Sequence, residues 1–271
     1  MDLRLDHVAF GWSDHDEIVG AAAGVGLAPT YGGEHADGTT EMSLLGFPDG
    51  TYLELIAPTG DATPVRWPEF LTSDAGPCAH AARTDHAPTA AKRAIDAGLS
   101  VDGPRRGGRD RADGVRVEWD ECYLGDGDAR GVIPFVVSDR TPRSYRVTPS
   151  ESVEETGLTG VAEVVVAVES LDRWTDLLER LYRLPAPQVR EDEHLSARVA
   201  NFPGAPLALA APEGGPLADR LSRYGPAPCA YLLGSDGAVG DVALREPRDW
   251  FGRELSWLDD DRLAGRVGVL E

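Results

Sequence analysis

Two short stretches of this chain repeat, and the repeat sets the frame for everything else. Gly50-Thr51-Tyr52-Leu53-Glu54-Leu55-Ile56-Ala57-Pro58 matches Gly204-Ala205-Pro206-Leu207-Ala208-Leu209-Ala210-Ala211-Pro212 in length, strand character and terminal Ala-Pro. The strand-like Asp6-His7-Val8-Ala9-Phe10 lines up with Ala162-Glu163-Val164-Val165-Val166, and both run into an acid-flanked helix start. Two matches in the same order point to internal duplication, in which each copy must bury its apolar face against a neighbour.

Reading along the chain gives the unit that repeats. Residues 3–12 alternate as a strand, Asp14 and Asp16 suit a helix start, and the alanine-rich 15–25 is helical until Gly26. Strands follow near 29–31, 39–45 and 51–56, the last two joined by the Pro48-Asp49-Gly50 turn. The order is β-α-β-β-β. A second copy has a strand at 78–83, a helix at 85–97 capped by Gly98, and strands at 115–122 and 132–137. A third has a strand at 161–168, a helix from Ser170 to Leu184 and a strand at 207–210. A fourth, with strands at 229–233 and 267–270, is too short for the full set. Between the second and third copies, Pro142, Pro149, Ser150 and Ser152 with Glu151, Glu154 and Glu155 read as linker chemistry.

Charge narrows the partners. The chain has 46 acidic and 26 basic residues, a formal charge of -20, and Lys92 as its one lysine. Such a charge repels itself in dilute buffer. At molar salt the Debye length falls to about 3 Å and the repulsion is screened, so the composition implies a halophilic protein with an acidic surface. Nucleic acid would need a basic face that displaces counterions, and an anionic membrane would repel the chain. No apolar run approaches the roughly 20 residues of a membrane span. Met1-Asp2-Leu3-Arg4 runs straight into a strand pattern without a leader's apolar stretch, and Cys78, Cys122 and Cys229 match no zinc spacing. The expectation is a cytoplasmic monomer or homodimer with reduced thiols and a small-molecule partner.

Leu5-Asp6-His7-Val8-Ala9-Phe10, Gly38-Thr39-Thr40, the stretch from Asp49 to Pro58, and Arg66-Trp67-Pro68 together resemble a glyoxalase-like domain of the vicinal-oxygen-chelate superfamily. Ala82-Arg83-Thr84-Asp85 and Ile133-Pro134-Phe135 continue the likeness, which is dense over 3–139 and thinner over 158–270. The resemblance implies an α+β fold of tandem βαβββ modules paired into U-shaped mixed sheets. Residues 1–140 would hold the first pair, 141–157 the linker and 158–271 a degenerate second pair. In active members the cup holds a divalent metal chelated by an oxygen-rich substrate.

His7 and Glu54 are the leading metal candidates. They stand on the first and last strands of a module, where the family's ligands come from, and suit Mn²⁺, Fe²⁺, Ni²⁺ or Zn²⁺. Glu54 is also the candidate catalytic base. Without a metal, a histidine bonded to a carboxylate across two strands would satisfy both groups. The partner module has Cys78 and Phe135 at the matching positions. His80, two residues from Cys78 on one face, either substitutes or is a satisfied core histidine. His35, on the glycine-rich 33–38 loop at the expected mouth, either completes the site or is exposed. If Val117 and Trp119 face the core, Arg116 faces the cup, and Arg83 on the neighbouring strand does too. There they would hold a carboxylate or phosphate; otherwise they pair with surface acids, the reading taken for Arg105, Arg106, Arg109 and Arg111. The second half, with Glu163 and Ala208 where His7 and Glu54 stand, cannot assemble a ligand set.

Two functions follow from the resemblance. One is a metal-dependent lyase, isomerase or dioxygenase acting on a small oxygen-rich molecule. The other is a metal-free protein that sequesters a small ligand in the same cup.

Overall fold

A computed structural model describes residues 3–111 and 113–271; Met1, Asp2 and Ala112, and with them the start of the Met1-Asp2-Leu3-Arg4 run, lie outside the described residues. The first module opens with β1 (Leu5–Gly11), buried along its whole length. Asp14 then caps α1 (His15–Gly24), its carboxylate accepting the Glu17 N–H at 2.9 Å, which satisfies a donor the helix leaves free. Strands β2 (Thr30–Glu34), β3 (Thr40–Gly46) and β4 (Tyr52–Pro58) complete it. Gly50 turns the β3–β4 hairpin at φ 81°, a left-handed conformation that glycine adopts without strain. The Asp49 carboxylate stiffens the turn by accepting both the N–H and the hydroxyl of Thr51 at 2.7 Å.

The second module follows a short α2 (Pro68–Leu71). It holds β5 (Gly76–Arg83), α3 (Ala87–Asp96), β6 (Val101–Asp110), β7 (Arg116–Leu124), α4 (Ala129–Val132) and β8 (Phe135–Asp139). After α5 (Arg143–Arg146) and α6 (Glu151–Glu154), the third module has β9 (Leu158–Ala167), α7 (Leu171–Tyr182), β10 (Gln188–Asp192), β11 (Ala197–Asn201) and β12 (Leu207–Pro212). Helix α8 (Gly215–Tyr224) leads to the fourth: β13 (Ala227–Ser235), β14 (Arg248–Trp250), β15 (Arg253–Trp257) and β16 (Val267–Leu270). What the fourth copy lacks is its helix, since no helix separates β13 from β14 among the described residues.

The strands form two eight-stranded sheets of one topology, β2-β3-β4-β1-β5-β8-β7-β6 and β10-β11-β12-β9-β13-β16-β15-β14. In each, the two first strands of a module pair meet antiparallel at the centre, while each pairs parallel with its own module's last strand. This is the α+β arrangement of paired βαβββ modules. The register agrees with the sequence alignment: His7 stands opposite Tyr52 and Ala9 opposite Glu54, while Leu207 stands opposite Val164 and Ala208 opposite Val165. Glu163 and Ala208 therefore occupy the places of His7 and Glu54.

Five strands, β6, β10, β11, β14 and β15, lie where the sequence shows no strand pattern, and two of them explain why. β6 and β10 are sheet edges, largely exposed, with the sequences VDGPRRGGRD and QVRED. A strand that packs neither face against a core has no reason to carry an apolar period. The segment 141–157 also differs from its linker chemistry: Arg146, Ser150, Val153 and Thr156 are buried. It docks on the first sheet because Arg143 and Arg146 reach Asp6 in β1.

One large core is shared by both halves. It joins Val8, Phe10, Leu53, Leu55 and Val136 of the first sheet with Val164, Val166, Leu209, Tyr231 and Val269 of the second, and with α1, α3 and α7. Two smaller clusters lie on the other face of each sheet, one around Ala9, Tyr52, Ile56 and Phe135, one around Val165, Ala208, Trp250 and Trp257. Tyr231 crosses between the halves, its hydroxyl 2.7 Å from the Ala9 carbonyl and 2.8 Å from that of Ala79. None of the described helices is long and apolar enough to cross a membrane.

Candidate functional site

The face of the first sheet turned away from the shared core encloses a cavity of about 550 Å³. His7 and Glu54 reach it from the adjacent strands β1 and β4, with His7 Nε2 3.8 Å from Glu54 Oε2. His35, just beyond β2, comes to the other carboxylate oxygen, its Nε2 3.4 Å from Oε1. One buried carboxylate is thus flanked by two imidazoles. The sequence assigned His35 to the mouth, and its exact neighbour was beyond the periodicity argument because a loop carries no face rule.

Each ring is oriented from behind. His7 Nδ1 lies 2.7 Å from Asp6 Oδ1, and the ring stacks on Tyr52 at 4.6 Å and meets the edge of Phe135 at 5.4 Å. Asp6 is fully buried and takes two hydrogen bonds from Arg146 at 2.7 and 2.8 Å and one from Arg143 at 2.7 Å. Burial alone would raise the Asp6 carboxyl; Arg146 and His7 reverse this and hold it well below its ordinary value. An ionised carboxylate only accepts, so Nδ1 of His7 carries the proton toward Asp6, and the same ring turns Nε2 to Glu54. His35 Nδ1 pairs with Thr40 Oγ1 at 2.8 Å.

The electrostatics follow. Burial pushes the Glu54 carboxyl up, but the hydrogen bond and charge of His35, with His7 and Arg109, bring it below its ordinary value. Burial opposes a charged His35, yet the bond and charge of Glu54 leave that ring's pKa raised. The two shifts favour one ion pair, a protonated His35 beside an ionised Glu54.

The donor chemistry fits a first-row divalent cation in part. Nε2 of His7 and Oε2 of Glu54 are too far apart to bond each other, and each side chain has a partner behind it of the kind that orients a metal ligand. Even so, no group of three or more His, Cys, Asp or Glu among the described residues is arranged to hold an ion. As the side chains stand, His7 and Glu54 would be the two protein ligands, and His35 would have to turn to add a third.

Around this centre the cavity is aromatic and basic. Tyr52, Trp67, Trp119 and Phe135 form walls, and Arg66, Arg106, Arg109, Arg116 and Arg146 line it. Gly107 lies flat on Trp119, where a Cβ would fall 2.5 Å from the indole nitrogen, so glycine lets β6 close over the wall. A wider groove of about 880 Å³ runs between β2 and residues 144–152, backed by Arg109 and Arg146. It contains none of His7, His35 and Glu54.

The other expected residues separate. Arg116 reaches the cavity rim but is half exposed and paired with Asp110 at 3.3 Å. Trp119, placed on the core face by the strand's alternation, instead lines the cavity together with Glu121. An aromatic cup wall carries the same apolar period as a core, which is why the two were confused. Arg83 shares the register face of Ala81 and Phe135 but stands at the end of β5 beside Gly50, outside the cavity wall. His80 is opposite Val8 and faces the helix layer near Val132; a register shift at Cys78 breaks the alternation that would have put the two on one face. Burial depresses its pKa to about 3, and its Nε2 is buried without a partner. Arg109, read from the sequence as a surface residue, is buried in the cavity wall. In the second sheet, Glu163 is enclosed by Asn201 at 3.0 Å, Trp250 at 2.8 Å and Arg253 at 2.6 Å, so that cup is occupied by its own side chains.

Paired βαβββ modules with a polar centre inside one cup are the architecture that the sequence resemblance implied. The family model described as "Glyoxalase-like domain" matches residues 5–182, and the chain belongs to that family. Similar solved structures include a hypothetical protein from Staphylococcus aureus (TM-score 0.64, 15% identity, 98% of each chain covered). Another is a xylose isomerase-like TIM barrel/4-hydroxyphenylpyruvate dioxygenase fusion protein (TM-score 0.60, 16% identity, covering 100% of this chain and 48% of that one). A third is a mutant 4-hydroxymandelate synthase from Streptomyces coelicolor (TM-score 0.57, 13% identity, covering 99% of this chain and 92% of that one). At these identities the likeness is one of fold. Comparison with curated proteins finds no match.

Proposed function

We propose that this chain is a glyoxalase-like enzyme whose first cup takes a small oxygen-rich molecule, with Glu54 as the base. The observation that carries the reading is the Glu54 carboxylate, 7% exposed and flanked by His7 and His35 in a 550 Å³ cavity. Glu54 is held ionised by its neighbours and can take a proton from a carbon beside a carbonyl. His35, whose pKa is raised, returns one. Tyr52 and Phe135 fix the His7 ring and keep water from its flank. A divalent Mn, Fe, Ni or Zn ion would be held by His7 and Glu54, and when bound it would polarise a ligand carbonyl. Dioxygenase and synthase names among the structural neighbours agree with an oxygen-rich ligand.

A metal-free sequestering protein is the second reading. It is favoured by the partner module, which contributes Phe135 and a buried Cys78 in place of ligands. Mn²⁺ titration calorimetry in molar KCl separates the two. The enzyme reading expects one ion per chain, lost in His7→Ala and in Glu54→Gln, since two protein ligands cannot spare one. A wild type that takes up none of the four ions overturns the metal-dependent reading and leaves the sequestering one.

A further inference from the structure

We infer that the Arg109 end of the cavity is an oxyanion subsite, which takes a carboxylate or phosphate group of the ligand while the ligand's reacting part faces Glu54. This rests on the cup being the active site and adds the ligand's charge and its anchor. In a chain of net charge -20, arginines find acids easily: Arg245 holds Asp259 and Asp261, and Arg262 holds Glu17. Within the cavity Arg66 pairs with Glu121, Arg116 with Asp110, and Arg146 with Asp6 and Asp139. Arg106 and Arg109 differ. Neither has a carboxylate within 4.0 Å among the described residues, although both line the cavity.

Arg109 is the more informative because it is 8% exposed. Its hydrogen bonds go to two main-chain carbonyls, Gly32 at 2.7 Å and Arg146 at 3.0 Å. A guanidinium has five N–H donors, so a latch made of two carbonyls uses only part of it. Burying a charge without an ion partner is costly, and burial depresses the Arg109 pKa even though Tyr52 and Glu54 favour its charge. The latch between β6 and β2 explains the two bonds. It does not explain a permanent positive charge, because a neutral donor would close the same edge without that desolvation. An oxyanion supplied by the ligand completes the set with short, charge-assisted bonds. Arg106, exposed three residues earlier on β6, places a second positive charge on the approach. The aromatic walls accept the remainder of the molecule.

The test uses the full chain in molar KCl, freed of metal by chelation, and probes of matched shape: benzoate, phenyl phosphate and neutral benzamide. Fluorescence of Trp67 and Trp119 in the cavity wall follows the titrations. Benzoate or phenyl phosphate should saturate, and whichever binds more tightly identifies the group. Benzamide should bind at least about tenfold more weakly, the scale of one charge-assisted bond. Arg109→Gln should weaken anion binding about ten- to a hundredfold, and Arg109→Lys should recover part of the loss. Arg106→Gln, at an exposed residue with no ion pair, should weaken it a few-fold without touching the fold, so a poorly folding Arg109 variant does not end the test. Glu54→Gln should tighten the anion by removing a facing charge. No saturable anion binding by the wild type, benzamide binding equal to benzoate, or unchanged anion affinity in Arg109→Gln and Arg106→Gln would each overturn the proposal. Mn²⁺ uptake without anion binding sinks the subsite alone, and anion binding without Mn²⁺ uptake sinks the cation alone.

Discussion

Asp6→Asn should cost this protein about 3–5 kcal/mol, the loss expected when one partner of a buried ion pair is removed and the other charge stays behind. Asp6 has no exposed surface and accepts from Arg146 twice, from Arg143 and from His7 Nδ1. Asparagine keeps one acceptor oxygen and turns an N–H₂ group toward guanidinium donors, so bonds are lost and like dipoles are brought together. Domains are stable by only about 5–15 kcal/mol, so the loss is a large share of the total. At roughly 2–4 °C per kcal/mol for a chain of this size, the melting midpoint should fall by on the order of 10 °C. Urea unfolding in molar KCl measures it without changing ionic strength. The acid limb gives a second readout. The folded pKa of Asp6 is depressed below 3.8, so its stabilisation is complete above the ordinary value and drains away as pH falls below it. In Asp6→Asn that part of the acid limb should be absent. A loss under about 1 kcal/mol with the acid limb unchanged would refute the assignment of Asp6 as the clamp behind His7.

Two further outcomes are expected. His80→Leu should raise stability at neutral pH by about 1 kcal/mol, because it removes a buried nitrogen without a partner. It should also flatten the loss of stability between pH 6.5 and about 3, where the unfolded chain takes up a proton that the native His80 refuses; urea unfolding at a series of pH values reads both effects, and a variant as acid-sensitive as the wild type would contradict them. The charge of -20 predicts loss of structure below a few hundred millimolar salt and recovery in molar KCl. Circular dichroism melts that do not move between dilute buffer and molar KCl would remove the salt-adaptation argument.

How much of this was legible in the sequence depended on burial. β1, β4, β9 and β12 are buried through most of their length, so their apolar runs and their repeat were visible, and with them the adjacency of His7 and Glu54. β6 was invisible because an edge strand of glycines and arginines has no face to preserve. Missing it hid Arg109, whose role depends on which way β6 turns. The Asp6 clamp lay further out of reach. Its partners are 137 and 140 residues away in sequence, on a segment whose prolines and glutamates read as a linker, and nothing local announces a contact of that range. An acid inside an otherwise apolar strand was the one available signal, since a buried carboxylate requires donors from somewhere.

The Tyr231 hydroxyl has a meaning for anyone who would shrink this scaffold. It touches carbonyls of both strands at the midline of the first sheet, and one of them belongs to Ala9, the neighbour of Glu54 in register. A gene trimmed after residue 157 would keep every side chain of the cup but pull out the keystone beneath it. Val8, Phe10, Leu53 and Leu55 would be left facing water where Val164, Val166 and Leu209 now stand. The second sheet, whose own cup is filled by Asn201, Trp250 and Arg253 around Glu163, is thus the foundation on which the first cup is built.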